Sequence, residues 1–161
     1  MELALLGIVA TALAVLWAAV SDVTNRTIPN PIPVLIAAGF AVTALAAPSA
    51  VNVAAALAAG AGVLAVTAGM FGLHWIGGGD AKLMASLGLW SGLEMLPLFL
   101  VVTAVTGGML GIVIWLWRLA RRLSPGPGLG DGDAADTVPY GVAIACGGLA
   151  VLAGHLDTAL V

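Results

Sequence analysis

Apolar residues fall into six runs separated by short polar stretches, covering residues 3–20, 32–47, 51–73, 81–90, 96–117 and 138–156. Because a helix that crosses a membrane takes about 20 residues, this pattern predicts an all-α, polytopic membrane helix bundle with about six transmembrane segments. The connections leave no room for a separate soluble domain, so we expect residues 1–161 to form one transmembrane domain. Residues 118–137 are predicted to form a cytoplasmic loop, because three arginines open the stretch and Ser124 to Asp136 is polar and rich in glycine and proline.

The fourth apolar run is short. Residues 81–117 could be read as one helix of 37 residues, but its length of about 55 Å would exceed a hydrocarbon core of about 30 Å. A turn is therefore predicted at Ser91 to Glu94. The fourth segment then rises only about 18 Å from Asp80, which predicts that Asp80 is recessed below the cytoplasmic surface. Asn30 followed by Pro31 predicts a capped start for the second segment.

Composition supports a membrane protein, since 61% of residues are hydrophobic and 8% are charged, with a mean hydropathy of +1.14. A soluble domain carries about 25% charged residues. The predicted topology places every lysine and arginine on one side, which is the cytoplasmic side by the positive-inside rule, with both termini outside. These residues are Arg26, Lys82, Arg118, Arg121 and Arg122. The single cysteine, Cys146, excludes a disulfide framework or a four-cysteine zinc site within the chain.

Two aspartates stand out at the cytoplasmic ends of segments. Asp22 follows the first segment, and Asp80 opens the fourth after three glycines, 58 positions later. Two carboxylates that meet in a recessed pocket form an acid/base pair, in which one activates water and the other polarises a carbonyl. This chemistry hydrolyses an amide with no metal or cofactor. The neighbouring Gly77 and Gly79 would let a peptide backbone approach closely.

Spacing alone leaves a plainer interpretation open, in which Asp80 is the N-cap of a helix and Asp22 is a loop residue at the lipid headgroups. The helix dipole suggests different roles for the two residues. Asp22 trails a helix C-terminus and Asp80 begins a helix, so the sequence predicts that Asp22 holds the shared proton and Asp80 is the base.

Three stretches resemble the signature motifs of type IV prepilin peptidases, which are intramembrane aspartic proteases with a GxGD motif. They are "DVTNRTIPN" from Asp22 to Asn30, "GGGDAK" from Gly77 to Lys82 and "VPYG" from Val138 to Gly141. The resemblance implies a catalytic pair of Asp22 and Asp80 in the bacterial inner membrane. The implied substrate is a pilin or pseudopilin precursor, cut on the cytoplasmic side. The other motif residues are then expected to bind substrate or shape the site: Gly77, Gly79, Lys82, Pro29, Asn30, Pro139, Tyr140 and Gly141.

The short chain resembles the small branch of this family that serves tight-adherence (Flp) pili. Larger members carry a cytoplasmic N-terminal region with paired cysteines and also N-methylate the trimmed pilin, so the resemblance implies the peptidase activity here and leaves the methyltransferase activity open. The alternative from another class is a small proton-coupled transporter or channel in which the aspartates form a relay. Lys82 could orient substrate or anchor the chain at lipid headgroups. The lipid bilayer is a predicted partner, whereas no nucleic-acid partner is predicted and no GK[ST] nucleotide motif exists.

Overall fold

The computed structural model describes residues 2–49, 51–123 and 138–160, which form five helices and no strand. The helices are α1 (Glu2–Asn25), α2 (Pro31–Ala46), α3 (Val53–Gly72), α4 (Gly78–Leu123) and α5 (Tyr140–Leu160). α1, α3 and α4 are each long and apolar enough to cross a membrane, and α2 and α5 contain shorter apolar stretches. The predicted all-α membrane helix bundle is confirmed.

α4 reverses direction at Gly92, where its backbone leaves helical geometry with a φ of 51° and a ψ of −166°. Contacts with α5 show the reversal. Going along α4, the contacted residues of α5 rise in residue number before Gly92 and fall in residue number after it. Before Gly92 they pair Leu87 with Gly148 and Trp90 with His155. After Gly92 they pair Met95 with Gly154, Thr103 with Gly147 and Gly107 with Tyr140. The first arm of α4 (residues 78–91) is therefore antiparallel to its second arm (residues 93–123).

This reversal confirms the turn predicted at Ser91 to Glu94 and divides the five helices into six segments. The first arm rises only about 21 Å, so the fourth segment is short as predicted. The second arm returns Arg118 and Arg121 to the end of the bundle that holds Lys82. Backbone geometry like that of Gly92 is essentially restricted to glycine, which explains why the chain turns at this residue.

α2 begins at Pro31, as the sequence Asn30-Pro31 predicts, but the side chain of Asn30 makes no capping hydrogen bond and its φ of −56° and ψ of −31° are already helical. One predicted boundary was wrong. Residues 118–123 belong to α4 and not to the loop predicted over residues 118–137. The guanidinium of Arg121 stacks 3.8 Å from the centre of the Trp117 ring, and cations stabilise a helix C-terminus. Residues 124–137 of that loop lie outside the described residues.

α1 and α2 pack through a reciprocal pair of glycines and threonines. Gly7 lies against Thr43, and Gly39 lies against Thr11, so that a Cβ added at either glycine would overlap the threonine hydroxyl opposite. The Thr43 hydroxyl also donates to the backbone oxygen of Ala4, at 3.3 Å. Small residues allow this close approach of helix backbones inside a membrane. The contact fixes the spacing of α1 and α2.

The remaining interfaces converge on α5 and on the first arm of α4. α1 packs against α2 and α5, whereas α4 packs against α3, α5 and α2. α1 and α4 share no comparable interface among the described residues. Trp90 lies at the centre, 2% exposed, and its indole nitrogen donates to the backbone oxygen of Ile36 at 3.0 Å. The residues on α1 and α4 are thus positioned relative to each other through α2 and α5.

Candidate active site

Asp22 lies in the last turn of α1 with 8% of its surface exposed. α1 ends three residues later because Arg26 adopts a φ of 54°, a left-handed conformation that terminates helices. The amide of Arg26 donates to the backbone oxygen of Asp22 at 3.1 Å. The hydroxyl of Ser21 donates to the backbone oxygen of Thr27 at 2.8 Å. These bonds fold the loop back beneath the buried carboxylate.

The Asp22 carboxylate binds the start of α5. The backbone amide of Gly141, the second residue of α5, donates to Asp22 Oδ2 at 2.7 Å across 119 positions of sequence. A Cβ added at Gly141 would lie 2.8 Å from Asp22 Oδ2 and 3.0 Å from its Cγ. This contact therefore requires glycine. The amides of a first helical turn have no partner within the helix, and here a carboxylate satisfies one of them.

Asp80 lies in the first turn of α4 and is half-buried. Gly77 immediately precedes α4 and its backbone oxygen accepts from the amide of Ala81 at 3.1 Å. Asp80 is therefore the third helical residue and not the N-cap. Its carboxylate accepts a hydrogen bond from the backbone of Gly77, as an acidic residue at this position does in a capping box. The plainer interpretation of Asp80 is thus correct in part, because the residue stabilises the helix start without being the N-cap.

The two aspartates share one end of the bundle. Their carboxylates are close enough to interact electrostatically, although they belong to helices that do not pack closely on one another. Each carboxylate also contacts the start of a helix, Asp80 in α4 and Asp22 against α5. The dipole argument from the sequence considered only the C-terminus of α1 at Asp22, so helix dipoles no longer distinguish the two residues. The assignment of the proton to Asp22 stays a prediction.

Three further motif residues connect the α1–α2 loop to α4. Lys82 Nζ donates to Asn30 Oδ1 at 2.8 Å. A Cβ added at Gly79 would lie 3.0 Å from the Cβ of Ile28, so the Ile28 side chain rests on the glycine. Ile28 is a contact that sequence reasoning missed, and a single apolar residue in a loop gave no signal for it.

Three other predicted site residues form no hydrogen bond with either carboxylate. Pro29 and Pro139 form turns before α2 and α5, in which their backbone oxygens accept from the amides of Ile32 at 3.1 Å and Val142 at 3.3 Å. The ring of Tyr140 lies against Gly107 on the second arm of α4. Their predicted roles at the site stay predictions.

An apolar cleft of about 240 Å³ opens between α1 and α5. Val142 lines it, immediately after the residue that binds Asp22, together with Ala19, Val20, Val23 and Thr24. Because these residues read as ordinary membrane-facing positions, the sequence did not predict the cleft. Within the described residues, no group of three or more histidine, cysteine, aspartate or glutamate side chains gathers. The site offers two carboxylates beside a small apolar surface.

Comparisons with known protein families and with individual proteins both identify leader peptidases as similar to this chain. The profile of the Type IV leader peptidase family matches residues 9–112. A "Prepilin leader peptidase/N-methyltransferase" of Burkholderia pseudomallei is 37% identical over 81 residues, which are 50% of this chain and 22% of that protein. The proteins of the same name from Pseudomonas aeruginosa and Stutzerimonas stutzeri are 38% and 39% identical over 56 residues, each covering 35% of this chain and 19% of theirs. The matches thus span about a fifth of these relatives. No solved structure matches the chain.

Proposed function

Because the chain belongs to the type IV leader peptidase family, we propose that it is a membrane aspartic endopeptidase acting on type IV or Flp pilin-like precursors. It removes their leader peptides at the cytoplasmic face of the bacterial inner membrane. The observation that carries this proposal is the pairing of Asp22 with Asp80, each held by the backbone of a motif glycine. The relatives are named prepilin leader peptidases, which supports the choice of substrate.

The two carboxylate oxygens of Asp22 have different roles in the proposed mechanism. Gly141 engages Oδ2 of Asp22, which leaves Oδ1 for a water molecule or a substrate carbonyl. Two neighbouring carboxyl groups hold one proton between them, because two adjacent like charges are costly. The ionised group takes a proton from water, and the resulting oxygen attacks the scissile carbonyl. The protonated group meanwhile donates to the carbonyl oxygen, and a proton passes to the departing amine as the C–N bond breaks.

The surroundings of the pair fit a substrate with an apolar helix behind the cleavage point. Arg26 and Lys82 are exposed at the same end of the bundle as Asp22, and the positive-inside rule places that end in the cytoplasm. The cleft lined by Val23 and Val142 supplies an apolar contact next to the carboxylate. A precursor whose leader remains in the cytoplasm while its apolar helix lies in the membrane can reach both surfaces.

The test is cleavage of a purified pilin-like precursor by the full chain in lipid vesicles. Asp22→Asn and Asp80→Asn keep the shape of each side chain but remove its acid/base function, so each is expected to lower kcat by at least about a hundredfold. Glu94→Gln is the matched control, because Glu94 is exposed next to the turn at Gly92 and lies away from the pair. Proton flux without cleavage would instead support the relay, and cleavage by either asparagine variant at the wild-type rate would refute the aspartic mechanism.

A further inference from the structure

We infer that Lys82 is a positioning residue. Its hydrogen bond to Asn30 attaches the α1–α2 loop, which follows Asp22, to α4, which carries Asp80. This inference rests on the proposed function and adds a role to a residue that touches neither carboxylate. Its starting point is the hydrogen bond from Lys82 Nζ to Asn30 Oδ1, at 2.8 Å between residues 52 positions apart.

Asn30 accepts this hydrogen bond in place of the capping bond that its position before α2 would allow. An asparagine before a helix ordinarily accepts from an amide of the first turn, yet Asn30 makes no such bond to α2. Asn52, before α3, shows the ordinary behaviour, since its side chain accepts from the amide of Ala55 at 3.1 Å. The side-chain oxygen of Asn30 is therefore directed to another helix and not to its own.

The hydrogen bond matters for the site because α1 and α4 do not pack closely on each other. α1 carries Asp22 and α4 carries Asp80, but these helices share no close interface among the described residues. Only intermediate elements set the distance between the two carboxylates. On one side α5 provides the connection, because Gly141 binds Asp22 and Gly148 packs against Leu87 of α4.

The α1–α2 loop provides the connection on the other side. The Ile28 side chain rests on Gly79, next to Asp80 in sequence, and Lys82, about one helical turn further along α4, binds Asn30. The apolar contact sets how closely the loop approaches α4. The hydrogen bond sets its position along α4, because a directional bond restrains sliding as an apolar contact does not.

A double-mutant cycle tests this coupling with the full chain in lipid vesicles and a pilin-like precursor as substrate. Lys82→Met keeps the aliphatic stem of the side chain and removes its charge and its donors, and Asn30→Ala removes the acceptor. Lys82 and Asn30 are both exposed, so the bond is weakened by solvent. Each variant is therefore expected to lower kcat by about fivefold, with KM unchanged. The double variant is expected to be no slower than the slower single variant, because both remove the same bond.

Lys82→Arg retains a charged donor and is expected to restore most of the activity. Arg121→Met is the matched control for loss of a cation, because Arg121 stacks on Trp117 in the second arm. Losses that multiply in the double variant would overturn the inference, since Lys82 would then act through another group. A raised KM with kcat unchanged would also overturn it, because Lys82 would then bind substrate directly.

A second measurement separates failure of this inference from failure of the proposed function. Spin labels at Asn25, the end of α1, and at Leu73, just after α3, report the distance between the two sides of the site. Cys146→Ala provides a background without other cysteines. Lys82→Met is expected to broaden the distance distribution whether or not the protein cleaves any precursor. An unchanged distribution would refute the inference that the bond from Lys82 to Asn30 holds the α1–α2 loop against α4. Broadening in a protein that cleaves no pilin-like precursor would refute the proposed function alone.

Discussion

Replacing Gly141 by alanine adds one methyl group at the contact between α5 and Asp22. The new Cβ would lie 2.8 Å from both the Cβ and Oδ2 of Asp22, whereas ordinary contact begins at 3.4 Å. The methyl group has no free space, because Gly141 is buried and its amide is bound to the carboxylate it would overlap. Either Asp22 or the start of α5 must move by at least about 0.6 Å to reach ordinary contact.

A displacement of this size is expected to matter far more for catalysis than for folding. Misplacement of a catalytic group by about 1 Å costs about a hundredfold in rate, so we expect kcat to fall between tenfold and about a hundredfold. Overpacking costs about 1–3 kcal/mol of stability, and alanine returns up to about 1 kcal/mol through its higher helix propensity. Gly141→Ala is therefore expected to fold and to be slow.

Cleavage under single-turnover conditions in lipid vesicles measures the chemical step, and thermal unfolding of the same preparation measures stability. Gly69→Ala is the matched control, since a Cβ there meets no atom within 4 Å and the substitution should leave the rate unchanged. A Gly141→Ala variant that folds and cleaves at the wild-type rate would refute the reasoning, because the close contact with Asp22 would then not determine where the carboxylate lies.

Two further predictions concern the scaffold, with Gly62→Ala as a control in open space. Gly92→Ala is expected to destabilise the protein by about 1–3 kcal/mol, because an L residue is strained at a φ of 51° and a ψ of −166°; unchanged thermal unfolding would show that the turn relaxes at no cost. Gly39→Ala is expected to cost about 1–3 kcal/mol by pushing α2 away from Thr11, and would be contradicted by unfolding identical to that of Gly62→Ala.

The sequence predicted the course of the chain well because membrane helices leave a strong pattern of apolar runs. The turn near Ser91 followed from length alone, since no single helix of that length fits a bilayer. The position of Asp22 and Asp80 at one end of the bundle was also predictable. Both residues lie at ends of apolar segments that the predicted topology places on the same side of the membrane. This conclusion needs no knowledge of how the helices pack.

The contacts that hold the site were not predictable, since they depend on pairs of residues far apart in the chain. Asn30 has the sequence signature of a helix cap, but its backbone is already helical and its side chain binds Lys82 instead. Similarly, nothing in the stretch around Gly141 identifies Asp22 as its partner. The bond from the Gly141 amide to Asp22 likewise places a second helix start beside that carboxylate, which its own helix α1 does not indicate.

The position of Gly141 in α5, after α1 and α4 in the chain, has a consequence for the order of assembly. Ribosomes release the N-terminal helices first, so Asp22 and then Asp80 are exposed to the membrane before α5 has been made. Until α5 inserts between α1 and α4, Asp22 lacks the amide that holds it, and one of the two connections between the aspartates is missing. The contacts that hold Asp22 and connect it to Asp80 are therefore complete only after α5 has been inserted.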